Sequence, residues 1–274
     1  FISFGGGGAS VEFWDGDGNR QWNVEVTGGG NVNPRVMYDE VEPAVYVSTI
    51  GNGTGGAGKI VKLDASDGST ITTLASGTIN NGMANDSTGI YIAYEDGNGK
   101  FLEKYDRNGN LIWDTQNSNF GTKGISANGS SIVITENSNT VSFRSVGDGT
   151  QDKSFGYSGT YETDRLDINS NGDVAISTAG SGFGSSSLAY FLLNDGTQKW
   201  SKEPSSFVED VALGENQNVY MAYGQTYEEI APDGTVNFSA SPFTDANGGA
   251  DVKGVNYARI DTGGSTGPAT AQAT

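Results

Sequence analysis

The chain has 274 residues, 33 acidic against 15 basic, a formal charge of −18 at pH 7, and neither His nor Cys. That charge makes nucleic-acid backbones and anionic lipid surfaces poor partners, because each neutralised phosphate needs a Lys or Arg and these are scarce here. The missing Cys excludes disulfides and thiolate chemistry, the missing His removes the usual general base and the commonest metal ligand, and no apolar run reaches the roughly 20 residues of a membrane helix.

In chain order, the first predicted element is a strand over Phe1–Phe4, followed by a turn at Asp17-Gly18 and an aromatic, Trp22, four residues past the turn glycine. The same arrangement recurs at Asp67-Gly68, Asn108-Gly109, Asp148-Gly149, Asp195-Gly196 and Asp233-Gly234, with spacings of 50, 41, 40, 47 and 38 between successive glycines. Asp-Gly and Asn-Gly suit two-residue type I′ hairpins, whose central positions both need positive φ. The fourth residue past the glycine is Trp22, Trp113, Trp200 or Phe238 in four units, with Thr72 and Lys153 as exceptions, so these rings are expected to be buried between neighbouring sheets.

Upstream of each turn lies a strand such as Ile60–Leu63, Phe101–Tyr105 or Ala189–Leu193. Further upstream is a more apolar one: Val45–Ser48, Ile90–Ala93, Ile132–Thr135, Val174–Ser177 and Val219–Ala222. A third segment precedes it: Arg35–Tyr38, Gly82–Asn85, Gly124–Ala127, Arg165–Ile168 and Asp210–Leu213. Four strands per unit of about forty residues, joined by tight turns, predict an all-β chain, a six-bladed β-propeller over residues 1–262. The first unit lacks its innermost strand, and Asp251–Asn256 is the candidate to supply it and close the ring, leaving no open sheet edge, with Tyr257–Ile260 competing with Phe1–Phe4 for the second strand. The Gly, Ser, Thr, Ala and Pro tail over 263–274 is expected to be flexible.

The acid excess is spread along the chain, mostly as Asp in turns, and resembles that of proteins from extreme halophiles; an ordinary acidic secreted protein is the alternative. At about 1 M salt the Debye length falls to roughly 3 Å and such self-repulsion largely disappears. No signal peptide is visible and the chain begins at Phe1 rather than Met, which reads as a processed product or a fragment.

The stretches Lys62-Leu-Asp-Ala-Ser-Asp-Gly-Ser69 and Lys104-Tyr-Asp-Arg-Asn-Gly-Asn-Leu-Ile-Trp113 resemble the repeat of the pyrroloquinoline-quinone-like propellers. The resemblance implies a propeller and leaves function open, since that repeat serves dehydrogenases, assembly lipoproteins and binding modules alike. Its alcohol dehydrogenases use eight blades and a vicinal disulfide, its six-bladed sugar dehydrogenases use a His base, and an assembly lipoprotein needs a lipobox Cys. This chain has none of these residues.

Two constellations are candidate sites. Arg35, Lys123, Arg165 and Lys253 fall on innermost segments, with Asp210 on another, in a chain poor in basic residues. If they converge on the axial channel they form a basic patch suited to an anion or a partner's carboxylate; otherwise they pair with channel acids and relieve repulsion. Asp167, Asn169, Asn171 and Asp173 alternate around Gly172 as oxygen ligands do in calcium loops, although Thr178 stands where such a loop has Glu, and the same stretch also reads as a plain turn. No cofactor is expected, calcium being the one candidate. The resulting expectation is a non-catalytic binding or structural propeller with a protein or glycan partner, located outside the cell, on its surface or on a virion of a halophile. The alternative is a carbohydrate-active enzyme using Asp and Glu in the axial funnel, for which no intact sialidase-type box is present.

Overall fold

The computed structural model describes residues 2–5, 10–14, 19–26, 35–39, 41–49, 58–78, 80–136, 139–157, 162–179, 188–206, 208–241, 254–256 and 270–272. Their regular structure is entirely β. Six antiparallel sheets follow one another along the chain, and within each the spatial order of strands is their sequence order.

The first sheet has three strands, β1 (Ile2–Gly5), β2 (Ser10–Trp14) and β3 (Arg20–Glu25). The second contains β4 (Arg35–Asp39), β5 (Ala44–Ser48), β6 (Gly58–Asp64) and β7 (Thr70–Thr78). The third is β8 (Asn80–Asp86), β9 (Gly89–Asp96), β10 (Gly99–Tyr105) and β11 (Leu111–Gln116). Then come β12 (Phe120–Ala127), β13 (Ser131–Glu136), β14 (Thr140–Ser145) and β15 (Gln151–Gly156). The fifth is β16 (Glu162–Ile168), β17 (Val174–Ala179), β18 (Leu188–Leu192) and β19 (Gln198–Lys202), and the sixth β20 (Val208–Leu213), β21 (Val219–Tyr223), β22 (Thr226–Ile230) and β23 (Val236–Ala240). This is the strand plan of a six-bladed β-propeller, as the repeat predicts.

Two compact units divide the chain, residues 1–123 with 146–149 and residues 124–145 with 150–274. In the first, Val11, Trp22, Val45, Val47, Val61 and Leu63 form one core between sheets, and Tyr46, Ile60, Ile90, Ile92 and Tyr105 another. In the second, Phe143, Leu166, Ile176 and Tyr190 form one, and Phe191, Val211, Leu213 and Met221 another. The second strand of each full blade is mostly apolar and buried, as in Ala44, Val45, Tyr46 and Val47 or in Val219–Tyr223, because both of its faces are covered. The last strands are the most exposed, and in β3 and β11 burial alternates, one face packed and one wet.

The turn glycines 68, 109, 149, 196 and 234 all have positive φ, but the residues before them do not, which overturns the type I′ expectation. Gly109, Gly196 and Gly234 each donate N–H to the carbonyl three residues back and close three-residue loops, a type I turn completed by a left-handed glycine. Gly68 and Gly149 end four-residue loops.

Each of these glycines also lies under a fourth-strand side chain of the preceding blade. A Cβ on Gly68 would meet Trp22 at 2.8 Å, on Gly149 Trp113 at 2.7 Å, on Gly196 Phe155 at 2.5 Å and on Gly234 Trp200 at 3.3 Å. Trp22 is buried, and Trp113 and Trp200 are half-buried. The fourth blade, an exception by sequence, uses Phe155 two residues beyond Lys153, and Lys153 Nζ sits 4.4 Å from the Phe143 ring centre. Phe238 departs from expectation: it is 51% exposed, because no described turn glycine sits on it.

The C-terminal segment also differs. Within 251–256 the described strand, β24 (Gly254–Asn256), pairs with β25 (Thr270–Gln272) of the tail expected to be flexible. A closing pairing with Ile2–Gly5 is not among the described strand pairs, and Tyr257–Ile260 lie outside the described residues.

Candidate binding site on the first strands

Arg35, Lys123, Arg165 and Asp210, candidates for a basic patch, lie on first strands. In the first unit, Arg35 on β4 donates from Nη1 to the carbonyl of Lys123 on β12 at 2.5 Å, and both residues are half-buried. In the second, Arg165 on β16 lies 3.9 Å from the Asp210 carboxylate on β20, with side chains 29% and 23% exposed. The five candidates thus resolve into two pairs, one in each unit, while Lys253 lies outside the described residues.

Arg35 and Arg165 hold the same place in their blades, facing Ser48 and Ser177 across the first strand pair. Both serine hydroxyls are buried without a hydrogen-bond partner. Arg165 and Asp210 each follow a break in register, at which the strand ladder skips Asp164 and Glu209. Bulges of this kind re-aim side chains and recur beside binding sites.

The calcium-like segment is dispersed by the fold. Asp167 is on β16, where Oδ1 accepts from Ser126 Oγ and Ile168 N, both at 2.9 Å, and Oδ2 from Leu213 N at 2.9 Å, so one carboxylate joins the first strands of three blades. Asn169 is fully buried and its Oδ1 accepts from the amides of Asn171 and Asp173, the hydrogen bonds of a plain turn. The Asp173 carboxylate accepts from Asn194 N at 3.0 Å and Gln217 Nε2 at 2.7 Å, and the exposed Asn171 receives Asn194 Nδ2 on its carbonyl. Both oxygens of Asp167 and of Asp173 therefore face N–H or O–H donors, which take up the lone pairs that a cation would need. Among the described residues no three acidic groups gather to hold a metal ion.

Gln217, which holds Asp173, has φ 64, where the equivalent turns have Gly129 and Gly172 at 86 and 84. A left-handed glutamine costs about 1–2 kcal/mol, offset here by its charged hydrogen bond. The sequence signal for it was the Asn-Gln-Asn of 216–218 standing where a glycine belongs.

Sequence reading missed the ionic network of the first unit. Asp39, wholly buried, is gripped by Arg107 Nε at 2.8 Å and Nη2 at 3.2 Å, and Arg107 also donates to the carbonyls of Asp86 and Ser87. Lys62 Nζ reaches Arg107 O at 2.6 Å and Glu42 at 3.0 Å. Lys104 Nζ reaches Val146 O at 2.8 Å and lies 5.5 Å from the Tyr91 ring centre, and burial lowers its pKa from 10.5. Burial first, then the Asp39 charge, pushes the Tyr46 hydroxyl well above its usual 10. The available signal was a basic residue inside an otherwise apolar third strand.

At the surface, the turn carboxylates are held below the usual 3.8 by turn hydrogen bonds: Asp195 by the Thr197 amide, Asp233 by that of Thr235, Asp64 by Ser66 and Asp106 by Asn110.

The chain matches no protein-family model and no curated protein sequence. Among solved structures it is similar to BamB from Moraxella catarrhalis, with a TM-score of 0.57 and 14% identity over 91% of this chain and 75% of that one. It is also similar to the WD40 β-propeller domain of Doa1, with a TM-score of 0.58 and 13% identity over 86% and 76%. At these identities the likeness speaks to architecture alone: an all-β, six-bladed propeller whose neighbours are β-propellers.

Proposed function

We propose that this propeller, of the pyrroloquinoline-quinone-like repeat type, is a non-catalytic binding scaffold for a protein partner, working in concentrated salt on a cell envelope or a virion. The observation that carries the reading is the partition of charge. Among the described basic residues Arg20, Lys153 and Lys199 are exposed, whereas Lys62, Lys104 and Arg144 are buried in bridges and the others are half-buried. The turn residues Asp67, Asp148, Asp195 and Asp233 are exposed. Asp39, Glu103, Glu136, Asp173 and Glu228 are buried as well, but the described exposed positions carry more carboxylates than cations, and such a surface repels itself and other anions in dilute buffer and is relieved by counter-ions.

The partner's contact is assigned to Arg165 beside Asp210. The Arg165 side chain is 29% exposed beside Asp210, and a planar guanidinium is suited to a partner's carboxylate through two hydrogen bonds. Fractionation of the native source tests the location, with recovery in envelope or virions expected and recovery in cytosol contradicting it. Arg165→Glu is expected to release the partner from the isolated complex without loss of fold; a complex that survives the exchange removes Arg165 from the site.

A further inference from the structure

The last strand of each of the six sheets has a residue out of register three positions after the turn glycine. These residues are Gln21, Ile71, Ile112, Asp152, Lys199 and Asn237, and all are exposed. In the sixth blade the pairs run from Ile230↔Val236 to Glu229↔Phe238, so Asn237 has no cross-strand partner. It begins the triplet Asn237-Phe238-Ser239, the Asn-x-Ser/Thr acceptor sequence for N-linked glycan.

The triplet also occurs at Asn52-Gly53-Thr54, Asn85-Asp86-Ser87 and Asn128-Gly129-Ser130. Asn52 lies outside the described residues. Asn85 Nδ2 is committed to Tyr38 O at 3.1 Å, and Asn128 Nδ2 to Asn169 O at 2.8 Å, bonds that join strands of different blades. Asn237 Nδ2 makes a long 3.4 Å contact to Glu229 Oε1, which Asn218 Nδ2 already satisfies at 2.5 Å. Its amide is exposed and is given up at little cost.

A second observation concerns the strand itself. An open edge strand invites pairing with another chain, and charge is the usual guard. The edge strands β3, β11, β15 and β19 carry charged residues, among them Arg20, Asp114, Lys153 and Lys199. The remaining two, β7 and β23, carry none: β7 breaks its ladder at three places, whereas β23 breaks at one and leaves Val236 40% and Phe238 51% exposed. A glycan there would supply the missing guard.

We propose that Asn237 is an N-glycosylation site, an inference that rests on the surface location above. Nδ2 attacks C1 of a sugar carried on a lipid phosphate; the N–C1 bond forms, the C1–O bond to phosphate breaks, the lipid phosphate departs with the bonding pair, and Nδ2 loses one proton to base. No oxidant or reductant is needed.

The test is peptide mapping by fragmentation mass spectrometry on protein from its native source. The expected result is glycan mass on Asn237, none on Asn85 or Asn128, and complete loss of the Asn237 glycan in Ser239→Ala with an unchanged far-UV spectrum. Persistence of the mass in Ser239→Ala overturns the proposal. So does a bare Asn237 in protein recovered from envelope or virions, which leaves the surface reading intact; a bare Asn237 in cytosolic protein overturns both.

Discussion

Blades are bridged by buried polar groups in both compact units, but with opposite charge. In the first unit the bridges are cations: Lys62, Lys104 and Arg107 each donate to a turn carbonyl or an adjacent carboxylate. In the second they are carboxylates: Asp167 and Asp173 accept backbone amides and a glutamine. The difference teaches how an acidic propeller meets a fixed demand. Buried backbone groups between blades must be paired, and either sign serves if each orphan finds its complement. The cationic solution draws scarce Lys and Arg inward; the anionic one places acids where amides already neutralise them.

Breaking each kind of bridge sharpens the contrast. Arg107→Ala strands the buried Asp39 charge and is expected to cost about 3–5 kcal/mol, as loss of one partner of a buried pair does. Asp167→Ala leaves Leu213 N–H unpaired and should cost about 1–3 kcal/mol, the desolvation cost of one buried donor. Denaturant unfolding in molar salt measures both, and an Asp167 variant as damaged as the Arg107 variant would erase the distinction.

The aromatic pegs allow a second contrast. Trp22→Ala removes a buried ring that donates to Ala65 O at 2.8 Å and is expected to cost about 3–5 kcal/mol. Phe238→Ala, at an exposed position, should change stability by no more than about 0.5 kcal/mol. Equal losses in the two melting curves would contradict the packing described here.

The remaining test is alkaline. Burial, helped by the Glu228 carboxylate, pushes Tyr223 to about 12, and Tyr46, Tyr91, Tyr94, Tyr105 and Tyr227 are raised as well. A hydroxyl whose folded pKa exceeds its unfolded value stabilises the fold fully below pH 10, and that contribution is lost as pH rises from there toward the folded values. Absorbance titration should therefore show these tyrosines ionising late and together with unfolding; ionisation of every tyrosine near pH 10 in folded protein would refute their burial.

Much of the fold was legible because its signals are local. Val219–Ala222 reads as a doubly buried strand from its own composition, and Gly68 or Gly196 marks a turn without reference to anything distant. The loop type was misread because Asp195-Gly196 alone does not reveal that Asn194 belongs to the same turn. The bridges were invisible for a different reason: they join residues roughly one repeat apart, as Lys62 to Arg107 over 45 positions and Asp167 to Leu213 over 46. Neither partner carries a mark of the other. The alternation of Asp167 to Asp173 reads as a turn or a calcium loop for the same reason, since the donors that meet its carboxylates come from Ser126, Asn194, Leu213 and Gln217.

An acidic surface of this kind is proposed to fit the propeller to concentrated salt. The direct measurement is the thermal midpoint in potassium chloride from dilute to molar, at fixed pH near 7. The midpoint should climb steadily as the Debye length shrinks from roughly 30 Å at 0.01 M to roughly 3 Å at 1 M. A midpoint equal at both extremes, or falling with salt, would contradict it.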